Sequence, residues 1–135
     1  MTVVVEPDET AREIREFLRA NPGLRDSQIH PDDPEHSVYG HCYPAAEAYF
    51  HARGGTDSVL DIYCLSWSDV RENGSGTHWY LRDPDVETWI DLAIEQPDDG
   101  DHIPFSEGRR RAFITGYEPS KRARRILEAI GEVYA

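Results

Sequence analysis

The 135 residues suffice for one domain with a buried core, and 39% hydrophobic content argues against disorder. A formal net charge of -12 argues against a general nucleic-acid-binding surface. No apolar run approaches the ~20 residues that a membrane span requires.

The first ten residues, MTVVVEPDET, lack a basic n-region and a small-residue cleavage site. They predict no signal peptide, and so a cytoplasmic protein. One lysine, Lys121, stands against thirteen arginines. That ratio fits a salt-adapted host and a GC-rich genome equally well. Two cysteines, Cys42 and Cys64, are too few for a disulfide framework and are expected as thiols. Neither repeats nor low-complexity segments divide the chain, so residues 1–135 are expected as a single domain.

Residues 10–20 predict a helix, with Ile14, Phe17 and Leu18 as its apolar stripe and Asn21-Pro22-Gly23 as its stop. Residues 24–39, rich in Asp, Pro and His, predict a loop. A second helix is expected to begin near Pro44, a residue favoured at the first helical position, and to end at Gly54-Gly55. Val59 to Trp67, Thr77 to Arg82 and Thr88 to Leu92 predict strands. Residues 95–108 are acidic and predict irregular structure. A last helix is expected after the N-cap Ser120, burying Ala123, Ile126, Leu127, Ile130 and Val133. This order predicts an α+β domain with an antiparallel sheet packed against helices.

Asp83-Pro84-Asp85-Val86 predicts a tight turn between the second and third strands. Centred on Pro84-Asp85, it would set Arg82 opposite Glu87, Tyr80 opposite Trp89, and His78 opposite Asp91. Trp79, Leu81, Ile90 and Leu92 would share the other, core-facing side. A carboxylate beside His78 would fix its tautomer and favour the imidazolium. Cys42 stands just ahead of the Pro44 helix, where the dipole and free N–H groups of a helix start favour a thiolate. The same N–H groups could hold an oxyanion, and Gly40 would let the backbone approach closely. Cys42 as nucleophile, His78 as base and Asp91 as orienting group thus form a candidate acyl-transfer triad. Tyr39, Gly40, Trp79, Tyr80 and Trp89 are candidate pocket residues, although the facing of Trp79 favours the core. Cys64, inside an apolar strand, is expected in the core.

The runs Gly40-His41-Cys42-Tyr43-Pro44-Ala45-Ala46, Thr77-His78-Trp79 and Trp89-Ile90-Asp91-Leu92 resemble the Cys…His…Asp layout of transglutaminase-like and papain-like enzymes. The chain also resembles small phage-type proteins with GHCY-like and THW-like motifs and a Pro-Ser-Lys-Arg-Ala run, here Pro119 to Ala123. The resemblance implies an acyl-transfer fold with the nucleophile at a helix N-terminus: a peptidase, amidase, deamidase or transferase acting on an amide or ester, without a cofactor. Transglutaminase-like chains often carry Asp-Pro-Thr at the third position; this chain has Asp91-Leu92-Ala93.

Residues 109–125 hold seven of the fourteen basic residues. Mutual neutralisation with the acidic 83–108 segment is the simple account. Lys121 and Arg122, however, fall in the first turn of a helix, where the dipole disfavours cations. With Arg109, Arg111 and Arg125 they form a candidate site for an anionic substrate or ligand. Two alternatives to an enzyme follow. One is a non-catalytic binding module, such as a virion or host-interaction protein, that uses this Arg-rich site. The other is a structural zinc protein using His30, His36, His41 and Cys42, whose spacing matches no standard metal motif. The 68–76 loop, with Gly74-Ser75-Gly76, is placed to cover the triad.

Overall fold

The computed structural model describes residues 2–24, 37–74, 76–113 and 118–131. Among these, three α-helices and five strands form an α+β fold with one open sheet.

Strand β1 (Thr2–Val4) opens the chain, followed by helix α1 (Glu9–Ala20). Asp8 caps α1 by accepting from the Ala11 N–H at 2.9 Å, and also accepts from the Tyr49 hydroxyl at 2.7 Å. Ala11, Ile14 and Leu18 are fully buried, and Arg15 lies on the same stripe. Helix α2 spans Cys42–Ala52, two residues earlier than Pro44 suggests. Pro44 is its third residue, still within the first turn, where the absent N–H costs no intrahelical bond. Every residue from Tyr43 to Phe50 is buried, which makes α2 the central helix.

Strands β2 (Asp61–Ser66), β3 (Thr77–Asp83), β4 (Thr88–Ile90) and β5 (Arg109–Arg110) complete the sheet, in the order β1-β4-β3-β2-β5. The expected all-antiparallel sheet is corrected: β1 runs parallel to β4, and the sheet is mixed. The run Thr2-Val3-Val4 is too short to announce itself as a strand, and its partner lies over eighty residues away. Helix α3 (Lys121–Ala129) follows the N-cap Ser120 as expected. It buries Ala123, Ile126 and Leu127, while Ile130 is half-buried. Val133 lies outside the described residues.

The β3–β4 register differs from the expected one. Leu81 pairs with Ile90, Arg82 with Trp89 and Asp83 with Thr88. The turn therefore has four residues, 84–87, and the pairing of β4 with β3 is displaced by two positions. The Asp83 carboxylate accepts from the Asp85 N–H at 3.0 Å, so the turn starts at Asp83. Arg82 does not oppose Glu87; its guanidinium lies over the Trp89 ring, 4.7 Å from the centroid. A displacement of two leaves each side chain on its expected face, because the strand period is two.

The two faces bury different clusters. On one, Cys64, Trp79, Leu81, Ile90 and Leu92 meet α1, α2 and α3. Full burial of a side chain such as Ile126 or Leu81 stabilises by about 2 kcal/mol. On the other, Leu65, Tyr80, Trp89 and Phe105 pack together. The 95–108 segment forms two 3-10 turns, Pro97–His102 and Phe105–Glu107. They bring Phe105 against Tyr80 and Trp89, and the Tyr80 hydroxyl donates to the Phe105 carbonyl at 2.5 Å. A Cβ at Gly108 would strike that hydroxyl, so Gly108 is needed for this close approach.

Candidate active site

Three segments meet at one end of the sheet: the start of α2, the start of β3, and the residues just after β4. Gly40 takes the left-handed conformation (φ 82°), which turns the chain so that Cys42 begins α2. The Cys42 sulfur is partly exposed and lies 3.9 Å from the carbonyl oxygen of Thr77, next to His78. The first-turn N–H of Cys42 has no acceptor within the helix.

His78 is 9% exposed and Asp91 is 1% exposed. His78 Nε2 and Asp91 Oδ2 are 2.5 Å apart. The second carboxylate oxygen, Oδ1, accepts from the Ala93 N–H at 3.0 Å, and the Asp91 N–H donates to the Val4 carbonyl at 3.1 Å. Strand β1 therefore fixes the Asp91 backbone. Arg15, 3% exposed, fixes the residues after it, donating to the carbonyls of Leu92, Ile94 and Glu95 at 3.3, 2.8 and 3.0 Å. It also pairs with Glu6 at 2.9 Å. Sequence reasoning passed over Arg15. Its signal was position: with Ala11, Ile14 and Leu18 it completes the buried i, i+3, i+4, i+7 stripe.

Burial works against a charge on His78, but the Asp91 charge and hydrogen bond outweigh it and hold the imidazolium well above its ordinary range. The Cys42 sulfur acts on the same ring, and its hydrogen bonding and charge add to the shift. With Nε2 committed to Asp91, Nδ1 remains for proton exchange. Cys64, by contrast, is buried in the sheet, and burial pushes its thiol up.

Cys42 and His78 line a cleft of about 530 Å³. Tyr39 and Gly40 line it too, as expected. Trp79, Tyr80 and Trp89 do not. Trp79 packs on Tyr43 and Phe113, and Tyr80 and Trp89 pack on Phe105. These three are corrected from pocket to core, because the hydrophobic clusters on the two faces of the sheet claim them. The walls that sequence reasoning missed come from Trp67, Arg71, Ala93, Ile94, Asp99, His102 and Ile103. The Tyr39 hydroxyl donates to Asp99 at 2.7 Å; burial and that carboxylate push its phenol up to about 12. Trp67 and Arg71 flank or belong to the 68–76 loop expected over the triad.

The Arg-rich candidates are separated. Arg109 and Arg111 line a cavity of about 440 Å³ with Cys64, Ser66, Asp69, Glu107 and Arg110, a lining without Lys121, Arg122 or Arg125. Arg110 pairs with Asp61 at 2.9 Å, and Arg122 donates to the Leu24 carbonyl at 3.0 Å. An internal anion serves the start of α3: the fully buried Glu47 carboxylate accepts from the Ser120 N–H and hydroxyl at 2.7 and 2.6 Å. Of the histidines offered for zinc, His41 is fully buried at the head of α2, and His30 and His36 lie outside the described residues.

No described helix is long and apolar enough to cross a membrane. Comparison with protein-family models, with curated proteins and with solved structures gives no match.

Proposed function

We propose that the protein is a cysteine-dependent acyl-transfer enzyme, an amidase, peptidase, deamidase or transferase, working through a Cys42–His78–Asp91 triad. The observation that carries this reading is the Asp91-bound His78 ring sharing one open cleft with the Cys42 sulfur. A nucleophile on the first residue of a helix, with the base on β3 and the carboxylate just after the adjacent β4, also supports a transglutaminase-like or papain-like arrangement.

In the proposed mechanism the Cys42 thiolate attacks the carbonyl carbon of an amide or ester. The C–S bond forms, and the Cys42 N–H steadies the oxyanion. The His78 imidazolium then gives its proton to the departing amine or alcohol as the C–N or C–O bond breaks. Asp91 holds the ring throughout. Water or an amine, deprotonated by His78, attacks the thioester and releases Cys42.

The test is an activated ester, p-nitrophenyl acetate, followed by intact mass and peptide mapping. The reading expects an acetyl group on Cys42 that forms in a burst and is lost on standing. No acyl adduct at Cys42, or one that forms equally fast in His78→Ala, would overturn it.

A further inference from the structure

One wall of the cleft carries a cation with no counter-ion among the described residues. Arg71 lies over the Trp67 ring, its guanidinium carbon 4.4 Å from the centroid, and its Nη2 donates to the His102 carbonyl at 2.8 Å. Stacking and hydrogen bond together hold an exposed side chain in one place. The remaining donors of its planar fork are suited to a carboxylate.

Several other arginines in the chain are spoken for: Arg12, Arg15, Arg19, Arg53, Arg110 and Arg124 all pair with carboxylates. Arg71 forms no such pair among the described residues, in a chain with 26 acidic residues against 14 basic ones. The cleft's own carboxylate, Asp99, is engaged by the Tyr39 hydroxyl and the Gln96 N–H. Trp67 links this cation to the chemistry, because its ring centroid is also 6.1 Å from that of His78. A group held by Arg71 therefore lies one aromatic ring away from the triad, on the same wall.

We propose that Arg71 anchors an anionic group of the substrate, so that this cleft takes amides or esters bearing a carboxylate near the reacting carbonyl. The proposal rests on the triad reading and adds the substrate class. The cation also answers a physical need. A carboxylate approaching a surface of net charge -12 is repelled unless a local positive charge receives it.

The experiment uses pairs of chloroacetamides whose N-substituent ends in a carboxylate or in the neutral carboxamide, with linkers of one to four methylenes. Each alkylates Cys42 by the same displacement: the sulfur bonds to the methylene carbon and chloride leaves. The quantity read is the carboxylate-to-carboxamide rate ratio at Cys42, divided by that of a small free thiol. For at least one linker it is expected to exceed unity, to fall roughly tenfold in Arg71→Gln, the loss expected for one charge-assisted hydrogen bond, and to recover in part in Arg71→Lys. A ratio below unity at every linker, or one unchanged by Arg71→Gln, would overturn the proposal. The neutral probes separate the two failures. If they label Cys42 no faster than Cys64 in the unaltered protein, the triad reading falls and this proposal falls with it. If Cys42 is fast but the ratio is indifferent to Arg71, only the anion anchor is lost.

Discussion

His78 reaches Asp91 diagonally across the β3–β4 hairpin, and the two side chains still meet at 2.5 Å. Continuing the observed register sets Asp91 level with Tyr80. The His78 ring therefore spans to the next position on the same face, a separation of ~7–8 Å between backbones that a long side chain can cross. The Val4 carbonyl and the Ala93 N–H hold Asp91 at the far end of that reach.

Replacing Asp91 by Asn keeps the size of the side chain and removes its charge. His78 is then buried without a carboxylate, and burial alone favours its neutral form. Acylation of Cys42 by an activated ester is expected to slow on the order of 10⁴-fold, as for other triads whose orienting carboxylate is neutralised. Stopped-flow measurement of the acylation burst checks this. An Asp91→Asn protein that acylates at the unaltered rate would show that the carboxylate does not serve the nucleophile.

The raised His78 also ties stability to pH, with a defined sign. Its folded-state value lies above its ordinary 6.5. The stabilisation is therefore complete below about 6.5 and is lost as pH rises through the folded-state value. Urea midpoints of the unaltered protein and of His78→Gln should differ most in mildly acidic buffer and converge in alkaline buffer. A gap that widens with rising pH would mean that the ring is held neutral.

Arg15 ties α1 to the segment that follows Asp91. Arg15→Ala strands two buried carbonyls and one part-buried carbonyl that now accept from it, and leaves a void on the buried face of α1. The expected loss is about 3 kcal/mol, read from urea unfolding, since hydrogen bonds from charged donors contribute roughly 1.5–3 kcal/mol. Acylation of Cys42 should slow even under conditions where the variant is fully folded, because Ala93 and Ile94 line the cleft. A loss below about 0.5 kcal/mol would place Arg15 among ordinary surface residues.

Glu87 adopts a left-handed conformation (φ 52°) at the end of the four-residue turn. Glycine takes that conformation without strain, so Glu87→Gly is expected to stabilise by roughly 0.5–1 kcal/mol. In the two-residue turn that the sequence suggested, Glu87 would be a strand residue paired with Arg82, and the same change would destabilise. Thermal or urea unfolding of this one variant distinguishes the two registers.

The candidate site was legible where local rules govern it. Cys42 near a helix start followed from Pro44 and from the Ala-rich run after it. The shared face of His78 and Asp91 followed from strand alternation, which survives a shift of two residues. The exact turn did not follow, because Asp83 begins it through its own side chain, a choice that Pro84-Asp85 obscures. Strand β1 was hidden because its partner β4 is distant in sequence. The cleft walls were hidden for the same reason: Trp67, Arg71, Asp99 and His102 come from separate loops and 3-10 turns. The aromatic residues beside the triad, Trp79, Tyr80 and Trp89, looked like pocket residues, but a sheet with clusters on both faces needs them as core.

In the proposed triad Cys42 is activated by His78. The rate of iodoacetamide alkylation at each cysteine at neutral pH, followed by peptide mass mapping, reads that activation. Cys42 is expected to react far faster than the buried Cys64, and His78→Ala to abolish most of this difference. Equal, slow labelling of Cys42 and Cys64 in the unaltered protein would contradict it.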